Sequence, residues 1–262
     1  MKSGTVQNLV AGGLGYSADK SSTVTTANII INGGTISNAV AGGGYFNAKV
    51  NKSNIQMNGG TALTVQGGGM ASGKIDGVNY SVGTKEDSEN SPNRTENAKV
   101  TISGGKVTYG VFGGGQGYSY TGTANVKLTG GKIGVYQTVN RGTLDNATVR
   151  VTGSTIGKFY VGGETEDKSV TGIINKINTL LFSGSIESLD SGTSNGSPIT
   201  VDNKTYSVAA TDSFKITNDN IGDSKKSISY DFTDIQSVII LFVVFVAIIF
   251  AVLFAFLYLE IL

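Results

Sequence analysis

The stretch that decides the fold runs Asn28-Ile29-Ile30-Ile31-Asn32-Gly33-Gly34-Thr35-Ile36-Ser37-Asn38-Ala39-Val40-Ala41-Gly42-Gly43-Gly44. It opens as a short alternating strand, turns at an Asn-Gly corner and arrives at a run of glycines. The strand and corner return as Asn54-Ile55-Gln56-Met57-Asn58-Gly59, Lys99-Val100-Thr101-Ile102-Ser103-Gly104, Asn125-Val126-Lys127-Leu128-Thr129-Gly130 and Thr148-Val149-Arg150-Val151-Thr152-Gly153. Aligned on the residue after the corner, the equivalents are Thr5, Thr35, Thr61, Lys106, Lys132, Thr155 and Ile186, at spacings of 30, 26, 45, 26, 23 and 31 residues. Periods of this size mark solenoids and repeat arrays.

Alternation buries one face of each strand. The inward set is then Ile29/Ile31, Ile55/Met57, Val100/Ile102, Val126/Leu128 and Val149/Val151. Asn-Gly corners and the runs Gly12-Gly13, Gly42-Gly43-Gly44, Gly67-Gly68-Gly69, Gly113-Gly114-Gly115 and Gly162-Gly163 permit tight bends between strands. Each coil can then hydrogen-bond to its neighbours at ~4.8 Å. The expected fold is all-β: a β-solenoid, of right-handed parallel β-helix type, over residues 3–190. A sandwich would not require one corner signature to recur.

The 45-residue interval implies an insertion at about 73–97, polar and charged through Lys85-Glu86-Asp87-Ser88-Glu89-Asn90. It should loop out of the stack. Residues 191–233 are β-rich and less regular, as suits a cap or stalk covering the last coil.

From Val238 to Leu259 come 22 residues without a charge. At ~1.5 Å per residue a helix of that length crosses a ~30 Å hydrocarbon core. The expectation is a single transmembrane helix that makes the lipid bilayer a partner. No export segment precedes Met1-Lys2-Ser3-Gly4, which already reads as a repeat corner, so the chain is expected to be a piece of something longer. Lysines alone would put the solenoid in the cytoplasm, since Lys225 and Lys226 precede the segment. Large domains cross regardless of charge, and the outside is the side expected here.

Composition removes whole classes of chemistry. The 262 residues include no cysteine and no histidine. Disulfides, thiolate nucleophiles, Ser-His and Cys-His dyads and His-ligated zinc go together. A net charge of +1 gives no case for nucleic acid. No cofactor is implied. The 38 glycines lack the every-third spacing of collagen.

Two constellations remain as candidate sites. Glu164, Glu166 and Asp167 follow the Gly162-Gly163 turn and supply hard oxygen ligands of the type calcium takes, against the plainer reading of a solvated loop. Tyr16, Tyr45, Tyr118 and Tyr120 recur past the glycine runs and, stacked in register, would form a ladder or a platform for sugar rings. Paired acids on a strand face, which a β-helical carbohydrate-active enzyme needs, are missing: before residue 140 the carboxylates are Asp19, Asp76 and four assigned to the insertion.

The run from Gly33 to Gly44 resembles the glycine-rich repeats of microbial β-solenoid surface proteins and adhesins, over roughly Ser3 to Gly184. It also resembles autotransporter passenger repeats, but lacks their Phe-x-x-Asn companion motif. A single apolar segment stands where a barrel translocator would. The resemblance implies a membrane-anchored, non-catalytic scaffold that displays a surface to glycans or proteins of a host or neighbouring cell. The alternatives are a β-helical carbohydrate-active enzyme and a purely structural spacer or fibre segment.

Overall fold

In the computed structural model the chain is all-β and wound into a parallel β-solenoid of about six turns. The structure describes residues 1–15, 20–75, 78–81, 90–163, 172–190, 192–194, 197–198, 200–201, 204–205, 215–216 and 230–231. The chain divides into two units, Met1–Tyr230 and Asp231–Leu262, and the solenoid belongs to the first.

Each coil contributes two strands. The first strands of coils one to four are Ser22–Ile31, Ala48–Met57, Arg94–Ile102 and Tyr120–Leu128. The second strands are Thr35–Ala41, Thr61–Gln66, Lys106–Phe112 and Lys132–Gln137. In coils five and six one long strand turns the corner unbroken, as Thr143–Tyr160 and Ile173–Asp190. Like strands stack in parallel and in register, so Ile29 meets Ile55, Val100, Val126 and Val149 in turn.

The whole inward set read from the alternation is buried, with Ile31, Ile55, Met57, Val100, Ile102, Leu128, Val149 and Val151 at zero exposure. Burying each such aliphatic side chain is worth roughly 1.5–3 kcal/mol. A second interior column, on the second strands, runs Val40, Val65, Val111, Tyr136, Phe159 and Leu189. The Tyr136 and Phe159 rings stack there at 4.6 Å. Burial pushes the Tyr136 hydroxyl far above the usual phenol range, against the opposing effect of its hydrogen bond with Thr138.

The corner between the strands is a ladder of its own. Asn58 Nδ2 donates to Asn32 Oδ1 at 2.7 Å, and Ser103 Oγ donates to Asn58 Oδ1 at 2.7 Å. The aligned positions Thr5, Thr35, Thr61, Lys106, Lys132 and Thr155 are true register partners. The last one is corrected. Thr155 meets Ser185 and not Ile186, because coil six takes one residue fewer between the pairs Thr152–Ser183 and Thr155–Ser185.

At the glycine runs a backbone ladder climbs the stack. Gly43 N donates to Gly68 O, Gly68 N to Gly114 O, Gly114 N to Thr138 O and Thr138 N to Gly162 O, at 2.9–3.2 Å. The insertion begins with a separate antiparallel hairpin, Ser72–Ile75 against Val78–Ser81. The stack resumes at Arg94, opposite Lys49, so residues 94–97 of the expected insertion belong to a strand. Within the 191–233 stretch, Lys215–Ile216 pairs antiparallel with Thr179–Leu180 of coil six.

Candidate functional site: the outer faces of the stack

Resumption at Arg94 places Glu96 on the outside of the first sheet. Flanking pairs Thr95–Thr121 and Asn97–Thr123 set Glu96 opposite Gly122, and Leu144 and Asn146 set Asp145 next in the column. Two carboxylates therefore flank a glycine. Neither is free. Arg94 Nε donates to Glu96 Oε1 at 3.2 Å, and its guanidinium lies 3.6 Å from the centre of the Tyr120 ring. The Tyr120 hydroxyl donates to Asp145 Oδ2, and Asn175 Nδ2 donates to Asp145 Oδ1 at 2.9 Å. Coils three to six are thus clamped by one continuous polar network. The Tyr120 hydroxyl is pushed up to about 12, first by donating to Asp145, then by burial and by the Asp145 charge, with Arg94 opposing.

The stacked second strands form a second sheet face, as the first strands form the first, and this second face carries a groove of about 290 Å³. Its origin is a bulge in coil three. Val107 pairs with Ile133 and Gly110 with Val135, so Thr108 and Tyr109 together face the single residue Gly134. Gly134 and then Gly157 leave a floor without side chains two coils long, which Glu187 of coil six closes. Lys106 and Lys132 stand side by side along one flank, with Thr155 continuing their column. Tyr109, next to Thr108, is 51% exposed. Among the described residues neither lysine and not Glu187 has an ion-pair partner.

Of the tyrosines marked in the sequence, Tyr45, Tyr118 and Tyr120 do not stack in one column. Tyr45 pairs with Leu14 and bridges to Met70, which bridges in turn to Gln116, so no tyrosine follows Tyr45 in its column. It packs half-buried against the cluster of Ala39, Ala41 and Met70, and burial raises its hydroxyl pKa. Tyr118 stands in the turn after Gln116, and Tyr120 lies on the first sheet. Tyr16, Glu164, Glu166 and Asp167 lie outside the described residues. Among the described residues no group of three or more carboxylates could hold a metal ion.

Sequence reasoning does not single out the groove residues Lys106, Lys132 and Glu187, or Tyr109 in the bulge beside them. The signal for the lysines was present, since both occupy the same repeat position. Tyr109 needed the bulge, which spacing alone does not locate.

No protein-family model, curated protein or solved structure matches the chain. No helix among the described residues is long and apolar enough to cross a membrane, and Val238–Leu259 lies outside them.

Proposed function

We propose that the chain is a membrane-anchored, non-catalytic β-solenoid that displays its outer faces as an adhesin-like surface outside the cell. The observation that carries the non-catalytic reading is the pairing of Glu96 and Asp145. One is held by Arg94, the other by Tyr120 and Asn175. Acid–base work needs a carboxylate free to exchange its proton with substrate: the two across Gly122 both accept from the protein itself, and Glu187, without an ion-pair partner among the described residues, has no second carboxylate lining its groove. The anchor in this reading is the uncharged run Val238–Leu259, crossing as a helix because lipid leaves no other way to satisfy its backbone. Right-handed winding is the sense expected of parallel strands joined by crossovers.

Protease protection of the full-length protein in its native host tests the reading. Trypsin should cut at Lys85, in the polar insertion, on intact cells. Protection that disappears only on permeabilisation would place the solenoid on the cytoplasmic side, and the display function would fall.

A second reading, a β-helical carbohydrate-active enzyme, draws on one observation: Glu96 and Asp145 flank Gly122 on an outer sheet face. Two carboxylates across a gap are the minimum for glycoside hydrolysis. Glycan cleavage abolished by Glu96→Gln and by Asp145→Asn would establish it.

A further inference from the structure

We propose that the groove over Gly134 and Gly157 is a binding site for an acidic sugar unit, a hydroxylated six-membered ring bearing one carboxylate. The inference rests on the display reading and names the ligand class of one displayed face.

Three features of the groove converge on that chemistry. The first is unspent charge. Lys106 and Lys132 are exposed register partners on adjacent coils, so their ammonium groups are held on one flank. Neither lysine has a counter-ion among the described residues, where Arg94–Glu96 is the one ion pair. An anion on the ligand supplies what they lack, through charge-assisted hydrogen bonds.

The second feature is shape. A Cβ at Gly134 would lie 2.7 Å from Thr108 O and 2.8 Å from Tyr109 O, and one at Gly157 would lie 2.7 Å from Gly134 O. The two glycines therefore cannot readily be exchanged for residues that would fill the floor. At about 290 Å³ the groove takes a single sugar ring.

The third is the pattern of polar groups at the margins. Glu187 reaches over the floor, its Oε2 3.8 Å from the place a Gly157 Cβ would take. Without a cation it is an acceptor for sugar hydroxyls; the Thr108 hydroxyl, which donates to Ala62 O at 3.3 Å, adds an acceptor, and the Thr155 hydroxyl adds a donor–acceptor pair. A bare inorganic anion would use the lysines and leave Glu187 opposing it. A neutral sugar would leave the lysines idle. An acidic sugar uses every group.

Saturation-transfer NMR on the full chain, held in micelles of a detergent with no sugar headgroup, tests this with methyl β-glucuronide, methyl β-glucoside and inorganic phosphate. The glucuronide should bind saturably and the glucoside about tenfold more weakly, as losing one charge-assisted contact implies. The double variant Lys106→Ala/Lys132→Ala should bring the two sugars level. Because both side chains are exposed, an unchanged melting curve should show that the variant folds.

Equal binding of glucuronide and glucoside by the parent protein overturns the proposal. So does phosphate displacing the glucuronide at equal concentration, which would reduce the site to simple anion binding. Absence of binding also overturns it. If that happens while Lys85 is still cut on intact cells, the display reading survives without this ligand. Protection of intact cells removes the display reading whatever the sugars do.

Discussion

At the corner between the two strands of a coil, Gly34, Gly60, Gly105 and Gly131 hold φ between +80° and +86°. At the corner after the second strand, Gly43, Gly68 and Gly114 hold no positive φ at all. The same residue type thus serves two needs. In the first corner the backbone enters the left-handed region, where a Cβ meets the carbonyl and costs ~1–2 kcal/mol. In the second the backbone is ordinary, and what glycine supplies is room. A Cβ at Gly68 would lie 2.6 Å from Gly115 N of the next coil and 2.5 Å from Thr121 Oγ1. The first corner therefore asks for conformation on top of room, since a Cβ at Gly60 would also lie 2.7 Å from Gly34 O, while the second asks for room alone.

The largest effect should follow from forcing those coils apart. Gly68→Ala places a methyl against backbone that is itself hydrogen-bonded, since Gly68 N donates to Gly114 O. Overpacking of this kind costs ~1–3 kcal/mol and more where backbone must move. Urea denaturation should show a loss of about 3 kcal/mol, at the top of that range. A loss under ~1 kcal/mol would mean that the coils can separate cheaply, and the distinction between the corners would weaken.

Gly4→Ala isolates the conformational need. Gly4 holds φ +88°, yet nothing lies within 4 Å of its would-be Cβ. Only backbone strain is left, so the same titration should register ~1–2 kcal/mol. Coil five already shows how the first corner can be relieved of this requirement. Ser154 follows Gly153 there, and Phe46 is the only non-glycine at positive φ among the described residues. The strand runs straight through from Thr143 to Tyr160, and Ser154 Oγ donates to Gly130 O at 2.7 Å.

Sequence and structure agree where a single period decides the matter. Alternation at Ile29/Ile31 and its equivalents fixes which side faces in, because a one-residue slip would put a whole column into water. Register across the first corner was equally legible up to Thr155, since each strand there begins one residue past the Gly-Gly step or its Gly-Ser variant. It failed at Ile186, where coil six drops a residue. The outer faces were less readable for a physical reason. Which residues meet outside depends on bulges and on where an insertion ends. Glu96 looked like part of a charged loop because Glu86, Asp87 and Glu89 precede it closely. Tyr109 looked like one of many tyrosines until a bulge set it beside Gly134.

Behind the glycine run lies a set of buried hydroxyls with no hydrogen-bond partner: Ser22, Thr95, Ser119 and Thr121. Thr95 and Thr121 occupy the column that Val50 and Leu144 fill with apolar groups in neighbouring coils. A buried hydroxyl without a partner costs ~1–3 kcal/mol, although glycine Cα–H groups facing it return part of that. Thr121→Val keeps the shape and removes the unpaired oxygen, so it should raise stability by about 1 kcal/mol. A loss instead would show that the weak Cα–H contacts from Gly68 outweigh the desolvation, and that the second corner needs polar filling as well as room.

Gly114→Ala should have the smallest effect, and it tests the division between the corners most sharply. It belongs to the same run and the same backbone ladder as Gly68, and it resembles it in everything a sequence can show. Its would-be Cβ, however, finds nothing nearer than Thr121 Oγ1 at 3.8 Å. The reason lies one coil on, where the glycine run gives way to Thr138-Val139 and Gly114 N bonds to Thr138 O. With ordinary φ and free space, an added methyl mainly removes freedom from the unfolded chain, which is worth ~0.4–1 kcal/mol in favour of the fold. Melting of Gly114→Ala should therefore match or slightly exceed the parent. If it fell as far as Gly68→Ala, the demand would come from the run as a whole. Close approach at particular positions would then no longer explain why these corners are glycine.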